Sequence, residues 1–151
     1  MFDFENLPLY WANRLSALAR RELAMRFRAA GHDVSAEEWA ILMLLWREDG
    51  QNPGEMSART VRDPTTMTRL VDSMVRKGVV TRQADENDRR RSRICLTQMG
   101  RELQAILVPL AMPMINDAMR GISQADGEVA VRVLSRMTQN LSQNHNKRGK
   151  K

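Results

Sequence analysis

Residues 85–100, DENDRRRSRICLTQMG, set Asp85, Glu86, Asn87 and Asp88 directly against Arg89, Arg90, Arg91 and Arg93, then change to an alternating apolar strand. Upstream, Thr65, Thr66, Thr68 and Arg69 cluster in one short stretch. Guanidinium groups donate in a planar fork to phosphate oxygens or to guanine O6 and N7, and short hydroxyls reach bases or phosphates without steric penalty. The chemistry these residues offer is recognition of a polyanion. An isolated charge run is ordinarily only a solvated turn, so the elements around it decide.

Charge distribution supports the polyanion. The chain has 151 residues and a net charge of +6. Residues 59–93 hold ten Arg/Lys against five Asp/Glu, residues 147–151 add +4, and the remainder sums to −3. A basic central segment in a slightly acidic body is the electrostatic footprint expected for nucleic acid. With 42% hydrophobic residues, the chain is long enough to bury a core as one folded unit with a helical extension.

The elements that must position these groups follow from periodicity and caps. Leu7, Trp11, Leu15, Leu18 and Met25 predict a helix over 7–29, with Gly31 beyond its end. Ser35 and Glu38 form a capping box for a helix whose Trp39–Trp46 run is apolar all round, so it should be covered on two sides. A short helix starts at Pro53. Asp63 as N-cap, Pro64 at the first position and Gly78 as the stop frame the next one. VVTRQA and SRICLT are strands of a hairpin whose tip is the charged stretch. A helix from Gln98 to Met119 contains Pro109 and Pro113 and should kink there. Ser123 and Asp126 cap a last helix, and from Gln143 the polar, basic composition predicts disorder.

On a helical wheel at 100° per residue, Met67, Leu70, Val71 and Met74 of the 64–76 helix form one stripe. Thr65, Arg69, Asp72 and Arg76 lie opposite, with Thr66 and Thr68 on the flanks. Helix, tight turn, helix, hairpin is the order of a winged helix-turn-helix, in which the first turns of the second helix enter a major groove. Asp72 is placed to brace Arg69 or Arg76. In the hairpin, Ile94 and Leu96 face the core, which turns Arg91, Arg93 and Cys95 outward. The tip arginines suit a narrow minor groove, and Asp88 is placed to hold the Arg90 side chain.

These residues resemble the MarR family of winged helix-turn-helix transcriptional regulators. Its wing pattern, D-x-R-x-x-x-V-x-L-T-x-x-G, is met by Asp88, Arg90, Ile94 in place of Val, Leu96, Thr97 and Gly100, and TRLVDSMVRKGVVTR looks like its recognition helix running into the wing. The helix order matches over roughly residues 7–142. The resemblance implies that Thr66, Thr68 and Arg69 serve the major groove and Arg90 the minor groove, oriented by Asp88. NPGEMSART departs from the family's Leu-rich turn, so the small extra strand often found there should be weak.

The expected fold class is therefore mainly α with a small β-hairpin wing, a winged helix-turn-helix plus a helical dimerisation region. Its segments are a dimerisation helix (1–32), the DNA-binding domain (33–97), C-terminal dimerisation helices (98–143) and a disordered basic tail (144–151). The function expected is a homodimeric repressor on a pseudo-palindromic operator of double-stranded DNA. Thr65, Thr66, Thr68, Arg69, Arg76, Asp88, Arg90 and Arg91 are its DNA-binding candidates. Many members of the family are released by phenolic acids, and a small aromatic acid effector is expected here with Trp11, Arg14 and Trp39 as its contacts.

The alternatives are a constitutive regulator without effector and a winged-helix protein-interaction module. An enzyme is disfavoured because no glycine-rich phosphate loop, paired metal-ligand spacing or nucleophile-serving histidine occurs, and no cofactor or metal is expected. RNA binding is disfavoured by the lack of stacking aromatics on the exposed face. Cys95, the single cysteine, allows no internal disulfide, and the cysteine of the peroxide-sensing branch, near the N-terminus, has no counterpart. No apolar run is long enough to cross a membrane, and Asp3 and Glu5 stand where a secretory signal would be basic, so a cytoplasmic protein is expected.

Overall fold

The structure, a computed structural model of the chain, describes residues 3–148, with side chains described up to residue 143. A single 3₁₀ turn at Phe4–Asn6 precedes six helices and one hairpin. These are α1 (Pro8–Ala29), α2 (Ala36–Arg47), α3 (Pro53–Thr60), α4 (Pro64–Arg76), β1 (Val80–Ala84), β2 (Ser92–Leu96), α5 (Gln98–Ala118) and α6 (Gln124–Arg148). The chain divides into two compact units, residues 1–114 and 115–151.

The first unit holds the core. The Ser35 hydroxyl accepts from the Glu38 amide and the Glu38 carboxylate from the Ser35 amide, which closes the capping box of α2. Glu38, Trp39, Ile41, Leu42 and Leu45 are then buried, while Met43 remains 48% exposed, so α2 is covered on most of its circumference. Met67, Val71 and Met74 of α4 pack with Phe27 of α1, Met56 of α3 and Ile94 of β2 in one cluster. Burying each such side chain stabilises the fold by about 1.5–3 kcal/mol, which makes this the anchorage of every surface element around it.

The strands are antiparallel, with Val80 opposite Leu96 and Ala84 opposite Ser92. The extra strand is reduced to one bridge, Gln51 to Ile94. Gln51 is buried, and its side-chain amide donates to the Leu44 and Glu48 carbonyls, so a polar latch at the end of α2 replaces an apolar turn. Gly100 shows why the wing pattern ends in glycine: a Cβ there would stand 2.2 Å from the Val79 carbonyl oxygen. The Gly100 amide also donates to the Thr97 hydroxyl, which caps α5.

α5 is one continuous element that contains Pro109 and Pro113, which lack the amide donors toward the carbonyls of residues 105 and 109. One expectation changes: the disorder expected from Gln143 is revised, because α6 continues to Arg148. The segment SQNHNKR has no glycine or proline to stop a helix, and the first such residue is Gly149. Residues 149–151 of the expected tail lie outside the described residues.

The apolar stripe expected to bury α1 is largely open in the single chain. Leu9, Trp11, Leu15, Leu18 and Met25 are each more than half exposed, whereas Leu23 and Phe27 are buried. In the second unit, Val129, Val133 and Leu141 of α6 are likewise exposed.

Candidate nucleic-acid interface

The face opposite the α4 core stripe is built from its cap outward. Asp63 precedes the helix in extended backbone, and its carboxylate accepts from the Thr66 amide at 2.9 Å and the Thr66 hydroxyl at 2.5 Å. These bonds, the hydroxyl first, hold the Asp63 carboxyl below its ordinary value. Thr68 donates to the Pro64 carbonyl at 2.9 Å. Thr65, Thr68, Arg69 and Arg76 are exposed and Thr66 is half-buried. Among the described residues neither Arg69 nor Arg76 has an acidic partner within 4.0 Å.

Asp72 does not brace either of these arginines. Its carboxylate pairs with Arg82 of β1 at 2.7 Å and so joins α4 to the wing. Arg82 was missed from sequence; it stands two residues after Val80 and opposite Ile94, on the core-side face of β1, and a charged residue at such a position inside the basic segment is the signal that would have found it. The far end of α4 is fixed by Glu38, which is 3% exposed. Lys77 Nζ reaches both Glu38 oxygens, at 2.9 and 3.0 Å, and the Ser73 hydroxyl donates to the same carboxylate. Burial pulls the Lys77 ammonium down, but the Glu38 hydrogen bond and charge, with Asp33 behind them, hold it above the ordinary lysine value. Sequence reasoning had seen only the capping role of Glu38.

At the wing tip Asp85 accepts from the Asn87 and Asp88 amides, and Asp88 accepts from the Arg90 amide at 3.0 Å. The second Asp88 oxygen faces Arg91 at 3.8 Å, so Asp88 shapes the backbone under Arg90 and leaves the Arg90 side chain itself unheld. Arg89, Arg90 and Arg91 are exposed. Arg93 is not a free outward cation, because it donates to the Gly50 carbonyl at 2.6 Å. Burial, then the Asp49 carboxylate, pushes the Cys95 thiol up, the reverse of what an activated thiolate needs.

The effector candidates fall in two places, Trp11 with Arg14 and Trp39 apart from them. Trp11 is 56% exposed, donates to the Glu5 carbonyl, and carries Arg14 at 6.0 Å from its ring. Trp39 is buried between Phe27 and Trp46. Its edge lines a groove of about 470 Å³ between α1, α2 and the α3–α4 turn, to which neither Trp11 nor Arg14 contributes. Along α1 the two candidates precede the groove's first wall residue, Ser16, and that offset is what separates them. Arg20, Met43 and Arg62 do line it, and Arg62 Nε is buried without a hydrogen-bond partner.

A basic wing beside a threonine- and arginine-bearing helix is a winged helix-turn-helix arrangement, and comparison with known proteins points the same way. Residues 34–92 match the family model described as MarR family. That segment of the chain is similar to the MarR family. Among curated relatives, the chain is 33% identical to the HTH-type transcriptional regulator TtmR of Methylorubrum extorquens over 54% of this chain, a match that spans 42% of TtmR. It is 29% identical to the HTH-type transcriptional repressor YetL of Bacillus subtilis over 75% of this chain and 69% of YetL. A MarR-family regulator from Silicibacter pomeroyi has the same fold, with a TM-score of 0.77 and 25% identity over 91% of this chain and 92% of that one. These similar proteins are named as transcriptional regulators. No helix among the described residues is long and apolar enough to cross a membrane.

Proposed function

We propose that the chain is a homodimeric transcriptional repressor that binds a pseudo-palindromic operator in double-stranded DNA and is released by a small aromatic anion. The observation that carries DNA binding is the outward side of α4, where Arg69 stands without an acidic partner among Thr65, Thr66 and Thr68 while the wing presents Arg89 and Arg90. In this reading the threonines and Arg69 meet the major groove, Arg76 meets phosphate, and Arg90 and Arg91 meet the minor groove from a tip shaped by Asp88. Repression is supported by the name of YetL.

The homodimer is supported by the apolar side chains that α1 and α6 leave exposed in the single chain. Such surface is characteristic of association, and a two-fold partner sets two recognition helices about 10 bp apart. For the effector, the supporting site is the Trp39 groove rather than Trp11 and Arg14, since Trp39 and Met43 offer apolar wall and Arg62 Nε an unused donor.

The test is selection of binding sequences from randomised duplex DNA, with sedimentation of the free and bound protein. An enriched inverted repeat bound by two chains is expected. A monomer at micromolar concentration removes the homodimer, and the absence of an enriched sequence removes the operator. Aromatic acids are then screened for stabilisation of the free protein and displacement from the selected duplex, which linkage requires to go together. If none does both, a constitutive regulator replaces this reading of the groove.

A further inference from the structure

Two of the threonines proposed to face DNA have their hydroxyl protons engaged inside the helix. A threonine hydroxyl has one proton to give and two lone pairs. Thr66 Oγ1 lies 2.5 Å from Asp63 Oδ2, and Thr68 Oγ1 lies 2.9 Å from the Pro64 carbonyl oxygen. A carbonyl only accepts, and so does an ionised carboxylate, the state in which Asp63 is held at neutral pH. The proton in each bond is therefore the threonine's. What each hydroxyl turns outward is lone pairs alone.

The groups available in a major groove divide cleanly on this point. Adenine N6 and cytosine N4 are donors, while guanine O6 and N7, adenine N7 and thymine O4 are acceptors, as are all phosphate oxygens. We infer that Thr66 and Thr68 are specificity residues that accept from exocyclic amines, selecting an amino base, adenine or cytosine, over a keto base on the strand they face. Arg69, which only donates, selects the opposite class, guanine above all. The same polarity excludes both hydroxyls from phosphate contact. This inference rests on the proposed role of α4 at the operator and adds to it the hydrogen-bond sense of each contact.

The test repeats the selection from randomised duplex DNA with the full chain and with Thr66→Val, Thr68→Val and their Thr→Ser counterparts. Valine keeps the branched shape and removes the hydroxyl, and serine restores the hydroxyl. The Asp63 bond to the backbone amide of residue 66 survives either change, so the helix cap remains in place. The wild-type half-site is expected to carry adenine or cytosine at positions where each valine variant becomes indifferent between amino and keto bases. The preference lost is about 2- to 10-fold, the weight of one neutral hydrogen bond. The serine variants retain it, and the salt dependence of binding is unchanged in all four.

An enriched motif whose amino-over-keto preferences survive both valine variants overturns this inference and leaves the operator reading standing. So does a lost preference for guanine or thymine, or a shallower salt slope. Failure of the wild-type chain to enrich any motif overturns the operator reading and this inference with it.

Discussion

The Asp72 carboxylate lies 2.7 Å from the Arg82 guanidinium and ties the exposed side of α4 to the first strand of the wing. Both side chains are about two-fifths exposed, at 43% and 39%, so the pair contributes little to stability, under about 1 kcal/mol. Its consequence is charge placement. Arg82 is held against α4 and neutralised there.

Replacing Asp72 by Asn should free Arg82 for phosphate. Binding to duplex DNA of any sequence should tighten at low salt, and the slope of log affinity against log salt should steepen by about one. The melting transition should move little. An unchanged slope would mean that the released guanidinium does not reach the backbone.

Glu38→Ala should destabilise the protein by about 2–4 kcal/mol. It leaves the Lys77 ammonium, the Ser73 hydroxyl and the Ser35 amide without their common acceptor. The pH dependence has a definite sign. The folded Lys77 value lies above the ordinary 10.5, so its contribution is fully present below pH 10.5 and is lost as pH rises through the folded value. Denaturant titrations from pH 8 to 11.5 should show this alkaline loss in the wild type and a flatter profile in Lys77→Met. A parallel alkaline decline in both would assign it to other groups.

Gly100→Ala should cost roughly 1–3 kcal/mol, because the added methyl meets the Val79 carbonyl, a backbone atom that cannot turn aside. Since the same clash pushes α5 away from the base of the hairpin, affinity for the selected duplex should fall as well. A thermal midpoint equal to wild type would show that the Val79 peptide can yield.

Arg69→Ala and Arg90→Ala should differ in kind. Loss of Arg69 should cost about 1–3 kcal/mol of binding and relax preference at one operator position. Loss of Arg90 should weaken binding most on duplexes with narrow A·T-rich flanks. Anisotropy titrations on duplexes varying one position at a time separate the two. Equal losses on every sequence would reduce both residues to phosphate contacts.

Val61 ends α3 in left-handed backbone, with φ +53°, and is 79% exposed. A β-branched side chain is disfavoured there and loses little packing when replaced. Val61→Asn should therefore stabilise the fold by about 1 kcal/mol, read as a higher denaturation midpoint. A lower midpoint would mean that the valine makes contacts worth more than its backbone strain.

Where each helix starts and which of its sides is apolar were legible in the sequence, because those properties depend on residues within one or two turns. The Asp63 and Pro64 start and Gly78 stop of α4, and the capping box of α2, use partners no more than a few positions away. The wing was legible for the same reason, its strands alternating on either side of one turn. The end of α6 was misread because composition near a terminus predicts solvation rather than the loss of helix.

Which charges face each other across different elements was decided by tertiary structure. Glu38 and Lys77 are 39 residues apart, and nothing in either neighbourhood marks one as the other's partner. Asp72 had two arginines at helical spacing on its own helix and pairs instead with Arg82, which the hairpin brings closer than either. Trp11 and Trp39 share an aromatic character that invited a common site, yet one lies on open surface and the other in the core. Periodicity records the direction in which a side chain leaves its own element. The position of the opposing element is set by how whole apolar faces pack, and that is a property of the assembled core.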